Sequence, residues 1–568
     1  MLLILCSWVI ITIVLLAFGD MFISLWGKAI GKEGCEVAFF HKFWLGLCIV
    51  GMLVCVITLF LPVNIYVLGC FILLSVLYWL MNARKAKKIC FSAYHGFIGL
   101  RWWNKMILVF IFLSLILYTL TIPYMNTVYD IGLYHLQSLM WTEQYSVVPG
   151  LGNLHGRLSF NSNSLLFHSL FSYHPDYYPA FLSFAGLCIF IFSGWLIKKA
   201  NDMKSNIHSI ILYTIIFIFY LIMRRTVQTS STDLLANIFV MYIILNIALS
   251  KRDDMMMLVL GVMAIFCITL KLSSAPILLA ALWCVVLYFR EKKYRQFWIV
   301  TLLGILIVIP WCIRFVVMSG YLIYPFPGID IFDFDWKMPI EYVIKEKNAV
   351  YTWARVQNTD YEALMAMPWY GWIPTWIRFQ DKLTLLLFAL SFASPLFILL
   401  CLKAKNKGNM VIAWLIAFCG VIFGFFSAPD IRFSIGPVLC SALIALLLVF
   451  MLLERRWKSL DNKLRYVTLA YSFGFLLFVV LAARQTYYYK EAGKGFPALV
   501  LEPQTIDYAK KWRETKCTER ELNNGIIYTS DKYDQCFDVC FPCAPPSIRY
   551  DQLEMRGDSF QDGFRMKK

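Results

Sequence analysis

The sequence predicts an all-α polytopic membrane protein of about fourteen transmembrane helices, followed by a small C-terminal extracytoplasmic domain. Three observations carry that expectation. Apolar residues make up 60% of the 568-residue chain and charged residues only 15%, with a mean hydropathy of +0.66. Uninterrupted apolar runs recur from Leu2 to Ala482, each near the roughly 20 residues a helix needs to cross the hydrocarbon core. Basic residues gather in every second short connection, and the positive-inside rule assigns such connections to the cytoplasmic face. The net charge of +17 would suggest a nucleic-acid partner in a soluble protein. These loops account for it, and no nucleic-acid partner is expected.

Taken in order, the predicted spans are residues 2–26, 43–61, 64–81, 106–123, 177–197, 207–223, 232–250, 255–270, 273–289, 297–317, 382–402, 410–427, 434–453 and 466–483. The first run lacks a basic n-region and a small-residue cleavage site, so it reads as a retained helix and not a signal peptide. Cytoplasmic clusters follow alternate spans: Lys28, Lys32 and Lys42; Arg84, Lys85, Lys87, Lys88, Arg101 and Lys105; Lys198, Lys199 and Lys204; Lys251 and Arg252; Arg290, Lys292, Lys293 and Arg295; Lys403, Lys405 and Lys407; Arg455, Arg456, Lys458, Lys463 and Arg465. Both termini then lie outside a bacterial inner (cytoplasmic) membrane. The pair 255–270 and 273–289 is short and split at Lys271, so one broken hairpin is the alternative there.

This divides the chain into a transmembrane domain, 1–483, with outer loops 124–176 and 318–381, and an extracytoplasmic domain, 484–568. Long loops with their own polar content are where membrane enzymes place binding groups. The first loop carries Asp130, His135, Glu143, His155, Arg157, His168, His174 and Asp176, and its Leu165, Leu166, Leu170 and Phe171 recur at helical spacing beside polar residues, as in a short interfacial helix. Of 17 cysteines, four share the outer tail: Cys517, Cys536, Cys540 and Cys543. An oxidising compartment favours one or two disulfides, with three pairings open. Zinc is the competing reading, on loosely suitable spacing, and no metal site is expected.

Asp130 follows directly on an apolar span, in Tyr129-Asp130-Ile131-Gly132-Leu133-Tyr134-His135, where a carboxylate and an imidazole are desolvated at a cost. An acidic residue at that place resembles the catalytic carboxylate of the GT-C glycosyltransferases, polytopic enzymes that take sugar from a polyprenyl-phosphate carrier. Asp233, in Ser230-Ser231-Thr232-Asp233, opens a later span as a second acidic residue does in many of them. Lys271, in Leu270-Lys271-Leu272-Ser273, is similar to the lysine of their "thr-lys" turn, with Leu270 in place of threonine. Pro310-Trp311-Cys312-Ile313-Arg314 with Ser319-Gly320-Tyr321-Leu322-Ile323-Tyr324-Pro325 resembles the element leading into their second outer loop, with Phe315 where asparagine is usual. Pro429-Asp430-Ile431-Arg432-Phe433, with Pro437 beyond, is similar to their "R-Y-x-x-P" element, with Phe433 for tyrosine. Within that superfamily the chain resembles a set of uncharacterised bacterial membrane proteins most. It shares with them Val148-Pro149-Gly150-Leu151-Gly152-Asn153-Leu154-His155-Gly156-Arg157-Leu158, Phe160-Asn161-Ser162 and a tail signature around Gln535-Cys536-Phe537-Asp538 and Pro542-Cys543.

The resemblance implies Asp130 and Asp233 as catalytic carboxylates. Substrate would be held by Tyr134, His135, His155, Arg157 and Asn161 of the first loop and by Lys271, Arg314, Tyr324 and Arg432 beyond it. The chemistry makes these types sensible on its own terms. A carboxylate is needed to take the proton of an acceptor hydroxyl, and cations stabilise the negative charge gathering on the departing phosphate. Only the arginines offer bidentate phosphate contacts. A bridging Mg2+ or Mn2+ is compatible with this scheme, and no ligand spacing demands one. The partners implied are a polyprenyl-phosphate-linked sugar, membrane lipid and other glycan-assembly proteins.

Plainer readings stand beside these. Asp130 can be a solvated carboxylate at a helix end, and Asp233 a helix cap shared with Ser231 or Thr232. Lys271 and Arg432 can snorkel to headgroups. Trp369, Tyr370, Trp372 and Trp376 of the second loop suit anchoring at the membrane surface more than sugar stacking. Two other function classes are open: a carrier or flippase for lipid-linked glycans, with Asp130, Lys271 and Arg432 along a path through the bundle, or a non-catalytic polysaccharide-assembly protein. The chain has no Gly-rich phosphate loop, no His-Glu-x-x-His and no G-x-S-x-G elbow, so it carries none of the signatures of ATP-driven transport or of those hydrolases.

Overall fold

The structure, a computed structural model, describes residues 1–31, 37–121, 129–172, 182–203, 205–227, 229–401, 409–491, 515–531, 534–546 and 551–567, with no side chain described at 121, 225, 452–463, 465 and 485–491. Lys32, His174, Asp176, Lys204, Lys403, Lys405, Lys407 and the stretch 492–514 therefore lie outside the described residues, as do the side chains of Arg455, Arg456, Lys458, Lys463 and Arg465.

The chain is an all-α membrane bundle with a small sheet-containing tail. Its helices are α1 (Leu2–Ala29), α2 (Phe39–Ile57), α3 (Ile65–Met81), α4 (Ala83–Ile98), α5 (Trp102–Thr121), α6 (Leu136–Gln144), α7 (Leu151–Leu154), α8 (Asn163–Phe171), α9 (Phe184–Asp202), α10 (Asn206–Met223), α11 (Thr232–Leu249), α12 (Asp254–Leu270), α13 (Leu278–Arg290), α14 (Tyr294–Ser319), α15 (Ile340–Arg355), α16 (Tyr361–Met365), α17 (Ile373–Phe379), α18 (Lys382–Cys401), α19 (Met410–Ser427) and α20 (Ile431–Glu491). Among the described residues, 12 helices are long and apolar enough to cross a membrane, or up to 13 if the bent pair α3 and α4 is one span. That is fewer than the fourteen expected, and the reason is length. Both α3 and α12 have 17 residues, about 26 Å at the helical rise against a hydrocarbon core of about 30 Å. The last two expected spans are both present, as windows Ile431–Met451 and Tyr466–Arg484 of the helically bonded stretch α20.

Backbone contact sets the tightest pairing. A Cβ on Gly19 of α1 would run into the Lys42 carbonyl, and one on Gly46 of α2 into the Leu15 carbonyl. The two glycines let these helices touch main chain to main chain. The centre belongs to α11, whose apolar window is 89% buried, and to α12, most of whose residues are buried. In the region 255–289, α12 and α13 run antiparallel, with Tyr288 donating to the Asp254 carbonyl at 2.7 Å and Lys293 pairing with Asp254 at 2.7 Å.

At one end of the bundle the tail folds back. Strands β1 (Cys517–Leu522) and β2 (Gly525–Ser530) form an antiparallel hairpin, β3 (Cys543–Ala544) adds parallel to β2, and β4 (Leu553–Met555) pairs antiparallel with β5 (Phe564–Met566). Two disulfides staple it, Cys517–Cys540 and Cys536–Cys543, so all four tail cysteines are paired and the zinc reading is set aside. The tail and the first loop share one core: Ile131, Leu133 and Trp141 cluster with Ile527, Phe537, Leu553 and Phe564. A two-strand element buries too little to stand alone, and here its apolar face is completed by the loop.

Candidate functional site

The end of the bundle covered by the tail is also where the sequence-predicted residues meet. Tyr129 and Asp130 begin a helical turn that widens into a π-helix over Ile131–His135 before α6, a form that recurs at functional sites. The tail fixes this turn. The Gly132 carbonyl accepts the N–H of Cys536 at 2.8 Å and of Phe537 at 2.9 Å, and a Cβ on Gly132 would lie 2.6 Å from the Phe537 ring. Gln137 donates to the carbonyls of Phe537 and Cys540, at 2.7 and 2.9 Å, and accepts the N–H of Cys543 at 3.0 Å. Tyr129 meets Asp534.

Asp130 faces Arg157, 3.4 Å away, and Arg157 donates through Nε to Glu346 of α15 at 2.8 Å. Arg157 thus bridges carboxylates from two different inter-span segments. Burial disfavours its charge, but Glu346, Tyr134 and Asp130 outweigh that and hold its pKa above the ordinary arginine value. Tyr324 is buried beside this pair. Its hydroxyl has no hydrogen-bond partner among the described residues and would be 2.9 Å from a Cβ on Gly156.

A second pair lies at the ends of the spans. Asp233 opens α11, but the cap is Ser231, whose hydroxyl accepts the Asp233 N–H at 3.3 Å. The Asp233 carboxylate is thereby free of capping duty and pairs with Lys271. Lys271 sits in the extended residue between α12 and a 3-10 turn, with its ammonium 3.9 Å from the centre of the Phe433 ring. Arg432 also lies near Phe433, 5.5 Å from its ring centre, and covers Trp353 at 5.4 Å. It is held by Asp430 through Nη2 at 3.0 Å. Phe433 thus has two cations near its ring, a favourable placement for an aromatic.

Charge interactions join the two pairs into one field. Arg432 feels Asp430, Asp233 and Asp130, while Tyr134 feels Asp130, Arg157, Asp233 and Glu346. His135 is buried, and burial together with Lys271 and Arg157 depresses its pKa to about 3 against the opposing pull of Asp233. It stays neutral at pH 7. His155 is lowered to about 3 as well, by burial and then by Arg157.

Two predicted residues have other work. Asn161 staples the loop to α14, its amide donating to the Trp311 carbonyl at 2.6 Å while Trp311 Nε1 returns a bond to the Asn161 carbonyl at 2.9 Å. Arg314 is buried and donates to Asn161 Oδ1 at 3.0 Å. It has no carboxylate partner among the described residues, and it lines a cavity of about 30 Å³ with Thr58, Ser138 and Ser162. The expectation of one cavity ringed by Asp130, Lys271, Arg314 and Arg432 is thus corrected: Arg314 belongs to the α2–α14 contact, and neither that cavity nor a second one of about 290 Å³ is lined by Asp130, Lys271 or Arg432. The second cavity is walled by Tyr351, Arg355, Trp369, Trp372 and Phe426, on the helix whose Trp353 meets Arg432. Trp372 and Trp376 are buried there, and Trp369 is 74% exposed, so the aromatic group divides between packing and surface.

Glu346 is the site residue that sequence reasoning missed. It sits among Glu341, Lys345 and Lys347 on α15, a charge pattern that reads as an ordinary solvated helix. Among the described residues no group of three His, Cys, Asp or Glu side chains is arranged to hold a metal.

Residues 1–439 match a single family, described as a domain of unknown function (DUF8201). The chain belongs to that family. The matched stretch contains Asp130, Arg157, Asp233, Lys271, Glu346 and Arg432, and it ends before the tail. No curated protein and no solved structure matches the chain.

Proposed function

We propose that this chain is a GT-C-like glycosyltransferase of a bacterial inner membrane, moving a sugar from a polyprenyl-phosphate donor to a glycan, lipid or protein acceptor of the envelope on the outer side. The observation that carries the reading is the gathering of Asp130, Arg157, Asp233, Lys271 and Arg432 at the ends of spans, joined by two ion pairs and a shared field. Placement at one end of the bundle favours surface chemistry over a path through it, and so favours an enzyme over a carrier.

In this reading Asp130 takes the proton of the acceptor hydroxyl as the new bond forms to the anomeric carbon and the bond to the phosphate oxygen breaks. Charge grows on the leaving phosphate, and Arg432 and Lys271 stabilise it where water is largely excluded. Asp430 and Asp233 keep those cations oriented until the donor arrives. The cavity walled by Leu364, Met365, Trp369, Trp372 and Phe426 suits the isoprenoid chain, since its wall is mostly apolar, with Arg355 as its one cation. The tail lies on the same face and would share the outer side with the acceptor, near membrane lipid and other glycan-assembly proteins.

The test is sugar transfer in proteoliposomes supplied with radiolabelled polyprenyl-phosphate sugars and an envelope extract as acceptor. Label moves to the extract with the native protein and not with Asp130→Asn; equal transfer by both would overturn the assignment.

A further inference from the structure

At the opposite end of the bundle, α4 is an element that the spacing of apolar residues did not announce. It leaves α3 at 95°, and since α3 packs lengthwise on α1, with Phe71 against Phe18 at 5.2 Å and Tyr78 on Asp20 at 2.6 Å, α4 runs across the bundle axis. None of its 16 residues is buried. Phe91 and Tyr94 are each 61% exposed, Ile98 44% and Phe97 41%. At 100° per residue Ala86, Ile89, Cys90, Ala93 and Phe97 fall on one side, while Arg84, Lys87, Lys88 and His95 fall on the other, interleaved there with Tyr94, Ile98 and Phe91.

A helix with one apolar side and one side of basic and aromatic residues, turned 95° from the preceding helix, touching the core through Ile89 and burying none of its residues, has the composition and the geometry of a segment lying in the membrane–water interface. Its flanks agree. Arg101, Trp102, Trp103 and Lys105 follow at the same level, with Arg101 5.6 Å from the Trp103 ring centre, and aromatic residues of that kind settle at headgroup depth. Lys85 ties the helix to the bundle through Ser24 at 3.0 Å and Asp20 at 3.8 Å.

We propose that α4 is an in-plane binding surface for anionic phospholipid headgroups in the leaflet opposite the candidate active site. Charge complementarity selects the occupant: Arg84, Lys87 and Lys88 are exposed cations within two turns, next to apolar residues that need acyl chain beneath them. A phosphate-bearing lipid satisfies both kinds of residue at once, whereas a soluble anion leaves Phe97 and Ile98 in water. Each basic residue at an anionic surface strengthens binding about fivefold, so the three together are worth on the order of 100-fold.

The test uses the full-length protein in maltoside detergent, titrated with phosphatidylglycerol, with phosphatidylcholine and with inorganic phosphate, lipid adducts being counted by native mass spectrometry. Phosphatidylglycerol is expected to bind the native protein far more tightly than phosphatidylcholine. The variant R84Q/K87Q/K88Q should lose that preference by about 100-fold, while K345Q/K347Q/R520Q, which removes the same charge at the other end, should keep it. Displacement of lipid by millimolar phosphate would mean a free-anion site and overturn the proposal, as would an unchanged preference in the first variant. The native protein in vesicles gives a second readout independent of any variant. Trypsin cleavage at Arg84–Lys88 should slow when phosphatidylglycerol is added to phosphatidylcholine vesicles, and equal rates would also overturn it.

Discussion

Replacing Gly132 by alanine tests how the tail holds the turn that carries Asp130. A Cβ there would sit 2.6, 2.7 and 2.9 Å from three atoms of the Phe537 ring, well inside ordinary contact. Phe537 is buried, and its backbone N–H is bonded to the Gly132 carbonyl at 2.9 Å, so its ring has little room to retreat. Alanine's better helix propensity, about 1 kcal/mol, acts equally on docked and undocked tails while the turn persists, so docking feels only the clash. Overpacking of that kind costs about 1–3 kcal/mol, which speeds local opening roughly 5- to 150-fold. Hydrogen–deuterium exchange at the amides of Cys536 and Phe537 reads this directly. In a Phe537→Ala background the added methyl group meets space, and Gly132→Ala should then change exchange by less than about twofold. The same acceleration in both backgrounds, or none in the native one, would refute the contact.

The other expected outcomes concern the charges. Lys271→Met strands the Asp233 carboxylate, which is only 9% exposed; stability should fall by up to about 3 kcal/mol, less than for a fully buried pair, and K271M/D233N should recover most of the loss in a thermal melt. Arg157→Lys cannot reach both Asp130 and Glu346, and in the transfer assay kcat should fall about 100-fold with a smaller change in KM, as for a misplaced catalytic group. Glu143, on α6 under the tail, has its pKa raised to about 8 by burial and then by Asp538, against a lowering bond from Ser172. Its folded value lies above the ordinary 4.5, so its contribution is full below that value and is lost as pH rises through about 8. Tail protection measured by proteolysis should therefore weaken between pH 6 and pH 9, and Glu143→Gln should flatten that profile; an unchanged profile contradicts the assignment.

Legibility in the sequence followed periodicity and chemical cost. The spans could be read because lipid demands a length and a polarity. Asp130, Lys271 and Arg432 stood out because ionisable groups beside apolar runs are expensive. Ser231 and Asp233 were confounded, since either suits a cap, and only the coordinates separate the hydroxyl that caps from the carboxylate that pairs. The contacts that cross hundreds of residues were invisible: Phe537 over Gly132 and Glu346 on Arg157 depend on tertiary packing that no local pattern records. Arg314 was misplaced by analogy of position, because its motif predicts the residue type at a helix end and not the side on which it points. For α4, a basic cluster was read as a connection, and the apolar residues three and four positions on were too few to mark a helix without the 95° bend in view.

The central claim is that Asp130 does chemistry while Arg432 and Lys271 hold phosphate, and one measurement separates these roles. Binding of a short polyprenyl phosphate and turnover of its sugar-bearing form are followed in parallel for Asp130→Asn and Arg432→Gln. The account predicts that Asp130→Asn binds like the native protein and loses turnover by about 100- to 10,000-fold, whereas Arg432→Gln loses binding itself. Native-like turnover in Asp130→Asn, or undiminished phosphate binding in Arg432→Gln, would contradict it.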